Sequence, residues 1–359
     1  MIKIGDIIIS NLFIGSTQVS KVYLGDVKVW PIPTPIPTET NYVTFTAQQD
    51  NSSIGLTKLS TNQTLEYSTD NSVWNTFNTS TNISLNTGDK VYVRGKLSAD
   101  NTGSNYTQFK MTGKIAASGN TNSIWDYENL DAPLKTDCGY RLFYDCGSLT
   151  TAPALPATTL ANYCYYYMFY GCTSLTTAPA LPATTLANYC YDSMFYNCSA
   201  LTTAPELPAT TLVYYCYNNM FNSCTSLTIA PALPATTLAN YCYASMFFRC
   251  TSLTTAPELP VTTLNDYCYY YMFYGCSALT TASVLPATTL ASNCYRGMFY
   301  NCTNLNYIKC LAVNGINTNN STENWVFGVP STGTFVKTSS ASWPTGTNGI
   351  PTGWTTQDA

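Results

Sequence analysis

The sequence predicts a mixed fold, with small all-β modules followed by an α/β solenoid of 26-residue units. Three observations carry this. Two cysteine columns recur at that spacing, Cys138 to Cys294 and Cys146 to Cys302. Two leucine columns keep the same period, one from Leu149 to Leu279 and one from Leu155 to Leu285. Ahead of them, short alternating β-branched and aromatic runs are broken by Asn, Ser, Asp and Gly clusters. Self-similarity at 20 to 50 residues marks a stack in which each unit buries its apolar face on its neighbours.

Taken in order, residues 1–30 contain a shorter repeat, IKIGDIIISN, LFIGSTQVSK and VYLGDVKVWP. Gly5, Gly15 and Gly25 recur between β-branched pairs, which reads as three short strands joined by glycine turns. So few residues bury little surface alone, so this N-terminal β module is expected to anchor on a partner, through Gly5, Gly15, Gly25 and Trp30. Residues 31–38 (PIPTPIPT) favour a polyproline II spacer of roughly 25 Å, at about 3.1 Å per residue. Residues 39–130, with YVTFTA, TLEYST and KVYVRGKL, are expected to form an antiparallel β-sandwich.

Residues 131–310 are the repeat. In each unit the leucines flank a proline (Pro153, Pro179, Pro205, Pro231, Pro257), and a second proline column runs from Pro156 to Pro286. Proline cannot donate to a ladder, so the strand should be only about three or four residues long. The other half places Leu160, Cys164, Met168 and Cys172 four apart, which predicts one face of a helix with the cysteines on its buried side. Residues 311–359 bring Trp325, Phe327, Phe335, Trp343 and Trp354, expected to cap the open end.

Composition narrows the chemistry. Only 9% of the 359 residues are charged and the net charge is −4, so the dense basic footprint that nucleic acid requires is missing. Met1 to Ser10 lacks the features of a secretion signal, and no run approaches the roughly 20 apolar residues of a membrane helix, so a soluble chain without membrane insertion is expected. There is no histidine, which removes Ser-His and Cys-His nucleophiles and the usual neutral-pH base. Asp126 with Glu128, or Glu206 with Glu258, could be paired for glycoside chemistry, but solvated side chains explain them better. The 15 cysteines show no CxxC spacing, so zinc is not expected. A disulfide ladder is disfavoured by parallel Cβ vectors, and buried thiols acting as small hydrophobes are the simplest account. The expectation is a non-enzymatic chain without cofactors.

The segments MFYGCTSL (168–175), MFYNCSAL (194–201), MFNSCTSL (220–227), MFFRCTSL (246–253), MFYGCSAL (272–279) and MFYNCTNL (298–305) resemble the M-F-x-x-C-x-x-L motif of the BspA-type leucine-rich repeat family. That resemblance implies a right-handed arc of stacked strands and a role in adhesion or surface recognition. The strand half departs from the family, with alanine where isoleucine or leucine is usual. The whole arrangement is similar to repeat-containing virion proteins of gut Bacteroides phages and prophages. It implies a virion protein assembled in the host cytoplasm, with capsid or tail proteins as partners. A host-surface glycan or protein is the implied ligand, and a homo-oligomer is possible. A bacterial surface adhesin or a purely architectural fibre is the alternative.

Copies of the unit differ most in the two residues after the tyrosine column Tyr165 to Tyr295. The pairs are Tyr166 and Tyr167, Asp192 and Ser193, Asn218 and Asn219, Ala244 and Ser245, Tyr270 and Tyr271, and Arg296 and Gly297. Positions that must pack should not vary, so this stripe is expected to be exposed. Its Tyr, Asn and Ser content suits an adaptable recognition surface. The candidate ligand-binding residues are Tyr166, Tyr167, Asp192, Asn218, Asn219, Tyr270, Tyr271 and Arg296; drift on a solvated face is the competing reading.

Overall fold

The computed structural model describes residues 41–359, and within residues 3–30 the backbone of six short strands. The chain divides into two compact units, Met1–Asn41 and Tyr42–Ala359.

In the first unit, β1 (Lys3–Ile4) pairs with β2 (Ile7–Ile8), β3 (Phe13–Ile14) with β4 (Thr17–Gln18), and β5 (Val22–Leu24) with β6 (Val27–Trp30), all antiparallel. Each ten-residue repeat is therefore a hairpin rather than one strand of three, because the chain reverses within the unit. Gly5, Gly15, Gly25 and residues 31–38 lie outside the described residues, and Trp30 is described only as backbone.

The second unit begins with β7 (Val43–Ala47), β8 (Ser52–Lys58), β9 (Gln63–Ser68), β10 (Asn75–Thr76), β11 (Asn82–Leu85), β12 (Lys90–Leu97), β13 (Gln108–Thr112) and β14 (Ile115–Ser118). They make two sheets, β11-β8-β13 and β10-β9-β12-β7-β14-β15, the last strand being β15 (Leu149–Thr151) of the first repeat. Burial alternates along β12, with Val91, Val93 and Leu97 turned into the core, as expected of a sheet with one face covered. The sandwich does not end at residue 130. β14 runs parallel to β15, the Phe109 ring stacks on Phe143 at 5.3 Å, and the core continues into the repeats. The sheet thereby covers the apolar end of the first coil.

Consecutive 26-residue units lie one on the next. On the proline side they are joined by isolated parallel bridges, Thr151↔Thr177, Thr177↔Thr203, Thr203↔Ile229 and Ile229↔Thr255, with a second column at Thr159↔Thr185 and Thr211↔Thr237. Among the described residues of this stack, strands of three or more residues occur only at its two ends, Leu149–Thr151 and Tyr307–Cys310; between them the prolines leave too few N–H groups for more.

The expected helix is absent. Among the described residues the one α-helix is α1, Asn122–Trp125, outside the repeats. Residues 161–172 instead form a spiral of tight turns. Cys164, Tyr166, Met168, Tyr170 and Cys172 donate their N–H groups three residues back. The alternate residues Tyr163, Tyr165, Tyr167, Phe169 and Gly171 donate to the next coil, at 2.8–3.1 Å. Every fourth residue is left-handed, with φ of 56° at Tyr163, 57° at Tyr167 and 72° at Gly171. Outside glycine this geometry costs on the order of 1 kcal/mol per residue, offset here because half of the backbone donors tie neighbouring coils together. The spacing of four was read correctly, but it belongs to a four-residue spiral. In a 3.6-residue helix that spacing drifts by about 40° per step.

The inward side chains form continuous columns. Phe143, Phe169, Phe195, Phe221, Phe247, Phe273 and Phe299 stack at 5.3–5.8 Å. Beside them runs the fully buried column Tyr165 to Tyr295. All fifteen cysteines are buried and free. In the column Cys146 to Cys302 each resolved thiol bond goes to a phenylalanine carbonyl 29 or 37 residues earlier, at 3.0–3.4 Å. These thiols fill space and also satisfy a second lone pair on that oxygen. Burial pushes their pKa up, to about 12 at Cys190 in the other column.

The tail does more than close the end. β16 (Tyr307–Cys310), β17 (Thr334–Lys337) and β18 (Thr355–Asp358) form a parallel sheet that continues the stack with true strands. Trp325 is buried against Trp343 at 5.2 Å, and its indole N–H donates to the Gly349 carbonyl at 2.8 Å.

Candidate functional site

The four-residue spiral sets out which side chains can meet a ligand. Residues 164/165 and 168/169 point inward, leaving 162/163, 166/167 and 170 on the outer face. Two aromatic columns run along this face. Tyr163, Tyr189, Tyr215, Tyr241 and Tyr267 stack without interruption at 4.3–4.8 Å. A second column holds Tyr144, Tyr170 and Tyr196, then Phe248, Tyr274, Tyr300 and Phe327, at 4.3–4.7 Å, with Asn222 in the gap. Neither was singled out from the sequence, although their 26-residue recurrence was there to be read.

The variable stripe lies between these columns, and it is not the exposed surface that its variation predicted. Asp192 and Ser193 are each 3% exposed, Asn218 is 9% exposed, and Ala244 is buried. Tyr166, Tyr167, Asn219, Tyr270, Tyr271 and Arg296 are half-buried. Flanking rings shield the short side chains, so variation here is tolerated at depth because each pair packs in its own way.

Tyr166 and Tyr167 stack on each other at 4.0 Å, and the Tyr270 and Tyr271 rings meet at 4.2 Å, tilted by 47°. The Tyr167 ring is also near Arg141, whose guanidinium lies 5.3 Å from its centroid and 4.8 Å from that of Tyr144. Arg296 is engaged within the protein, paired with Glu323 at 3.2 Å and 5.9 Å from the Tyr270 centroid. Its neighbour Gly297 is glycine because a Cβ there would run into the Tyr271 ring. At Asp192, Oδ1 accepts from the Ser193 hydroxyl at 2.7 Å and from Asn218 Nδ2 at 3.2 Å. Burial raises the Asp192 carboxyl to about 7, against the lowering effect of those two donors.

The carboxylates weighed for glycoside chemistry have other places. Asp126 Oδ1 accepts the Glu128 and Asn129 N–H groups of its own turn, and Glu128 pairs with Lys96. Glu206 and Glu258 are exposed on the proline side.

The model of the BspA type leucine rich repeat region matches residues 136–272 and 241–322, together just over half of the chain. The protein belongs to the BspA-type leucine-rich repeat family. No curated protein and no solved structure matches it. The family's M-F-x-x-C-x-x-L motif has a clear physical reading in this member. Met and Phe occupy one inward step of the spiral, Cys the next, and Leu begins the bridged side. No helix among the described residues is long and apolar enough to cross a membrane.

Proposed function

We propose that this repeat protein is a non-enzymatic display protein of a phage virion, held through Met1–Asn41 to a capsid or tail protein and binding the host surface with its aromatic-rimmed face. One observation carries the recognition part. The spiral is fixed from copy to copy in its inward columns, while the outer stripe between the two aromatic columns changes pair by pair. A rigid scaffold with local variation on one face is how recognition surfaces are built. The chain's lack of histidine, and the engagement of Asp126 and Glu128 in a turn and an ion pair, support a binding rather than a catalytic role. The virion part rests on the sequence arrangement and on the separate compactness of Met1–Asn41.

Two measurements test it. Mass spectrometry of purified particles from the producing strain should find the full chain; its recovery from the bacterial envelope and not from particles would refute the virion assignment. Fluorescently labelled full chain should adhere to host cells and not to strains resistant to the phage. Equal labelling of both would refute host recognition.

A further inference from the structure

The first aromatic column has features that stacking alone does not require. Tyr163, Tyr189, Tyr215, Tyr241 and Tyr267 all adopt a left-handed backbone, with φ of 55–59°. That conformation suits Asp and Asn and strains a bulky side chain. The equivalent positions in the flanking coils indeed hold Asp137 and Asn293, with φ of 54° and 53°. Five consecutive coils nevertheless carry tyrosine. Phenylalanine would stack equally well, and the second column does mix the two, with Phe248 and Phe327 among its tyrosines. The first column keeps the hydroxyl in every one of its coils.

Its rings are near-parallel, tilted by only 9–13°, with centroids 4.6, 4.8, 4.4 and 4.3 Å apart in chain order. At that spacing carbon atoms of neighbouring rings are in van der Waals contact. Each ring is half-buried, so part of it meets solvent. The hydroxyls meet as well: Tyr241 interacts through its own with Tyr215 and Tyr267, and Tyr214 does so with Tyr189 and Tyr215. The inward column Tyr165 to Tyr295 differs on both counts, being fully buried with rings 5.8–6.1 Å apart.

We propose that the column Tyr163 to Tyr267 is a site of oxidative cross-linking, in which neighbouring rings of successive coils couple into dityrosine and staple the spiral. The oxidant is hydrogen peroxide acting through a haem peroxidase. Each of two adjacent phenols gives up one electron and the proton of its O–H bond and becomes a phenoxyl radical. Ring-to-ring contact lets an electron vacancy move along the column until it meets a second. The two radicals then join by a C–C bond between carbons ortho to oxygen. Both ortho C–H bonds break as the rings regain aromaticity, and those protons return to the oxygens. Overall, two tyrosines and one hydrogen peroxide give one dityrosine and two waters. Each bond closes a loop one repeat long, which removes freedom from the unfolded chain and so stabilises the coils that it joins.

The test treats the full chain, dilute enough to keep molecules apart, with hydrogen peroxide and a haem peroxidase, and follows dityrosine fluorescence, melting and linked peptides by mass spectrometry. Links should join column residues 26 apart, each with the loss of two hydrogens, and the product should melt at a higher temperature than the untreated chain. Tyr215→Phe combined with Tyr241→Phe keeps the stack but leaves Tyr163 and Tyr189 as the column's one pair of neighbouring phenols. The link between those two should persist, all others in the column should vanish, and the gain in melting temperature should shrink. Tyr215→Asn with Tyr241→Asn, the residue that Asn293 carries on the same backbone, repeats the comparison if the phenylalanine variant folds poorly. Absence of dityrosine from the treated wild-type chain would overturn the proposal. So would links that fall mainly outside the column or between molecules, or a cross-linked product that melts no higher.

Discussion

Asp192 offers the sharpest physical test of the packing between the columns. Its carboxyl is raised by burial from its ordinary 3.8 to about 7, so the folded chain holds the proton more tightly than the unfolded chain does. The stabilisation is therefore fully present below about pH 4 and is lost as pH rises through about 7. At about 1.36 kcal/mol for each pKa unit, the loss between pH 4 and pH 8 reaches up to about 4 kcal/mol. Asn in its place keeps an oxygen able to accept from Ser193 and Asn218 but carries no charge to desolvate. Urea unfolding followed by tyrosine and tryptophan fluorescence, on wild type and Asp192→Asn at both ends of that range, isolates the effect. Asp137, raised to about 6 by burial and the nearby Asp100, contributes equally to both proteins. The variant should be the more stable at pH 8, by an amount that shrinks steadily toward pH 4. A difference that does not change with pH would refute the argument.

Two other outcomes follow from the inward columns. Native thiols should be inert to a disulfide-exchange reagent at pH 8, because all fifteen are buried and burial raises the pKa of each; denaturant should release all fifteen, and rapid titration of any in the native chain would contradict the packing. Phe221→Ala removes a fully buried ring stacked at 5.7 Å on Phe195 and 5.8 Å on Phe247. It should cost about 3–5 kcal/mol and divide thermal unfolding into separate transitions for the coils on either side, since each coil touches only its neighbours. A single transition at the wild-type temperature would exclude a structural role for the column.

The period, the two leucine columns and the inward cysteines were legible because a stack repeats its side-chain requirements at fixed distance along the chain. The short bridged side was legible too, since Pro153 and its equivalents lack the N–H that a longer ladder needs. The helix misreading has a definite cause. Leu160, Cys164, Met168 and Cys172 share one face in a helix or in a four-residue spiral, and only the destination of the backbone donors distinguishes them. Tyr163, Tyr165 and Tyr167 donate to residues 25 positions ahead, a choice invisible in any local window.

The stripe shows the same division. Variation between copies located Asp192, Asn218 and Asn219 in the sequence, but their depth is set by how neighbouring coils pack. By itself the sequence determined what repeats, what faces inward and where copies differ, because those follow from spacing and side-chain chemistry. The tertiary structure alone decided that the outer half is a spiral of turns, that the sandwich and the repeats share one core, and that several of the differing positions are buried. Each of these depends on which coil lies against which, and hydrogen bonds between coils establish that only once the chain has folded.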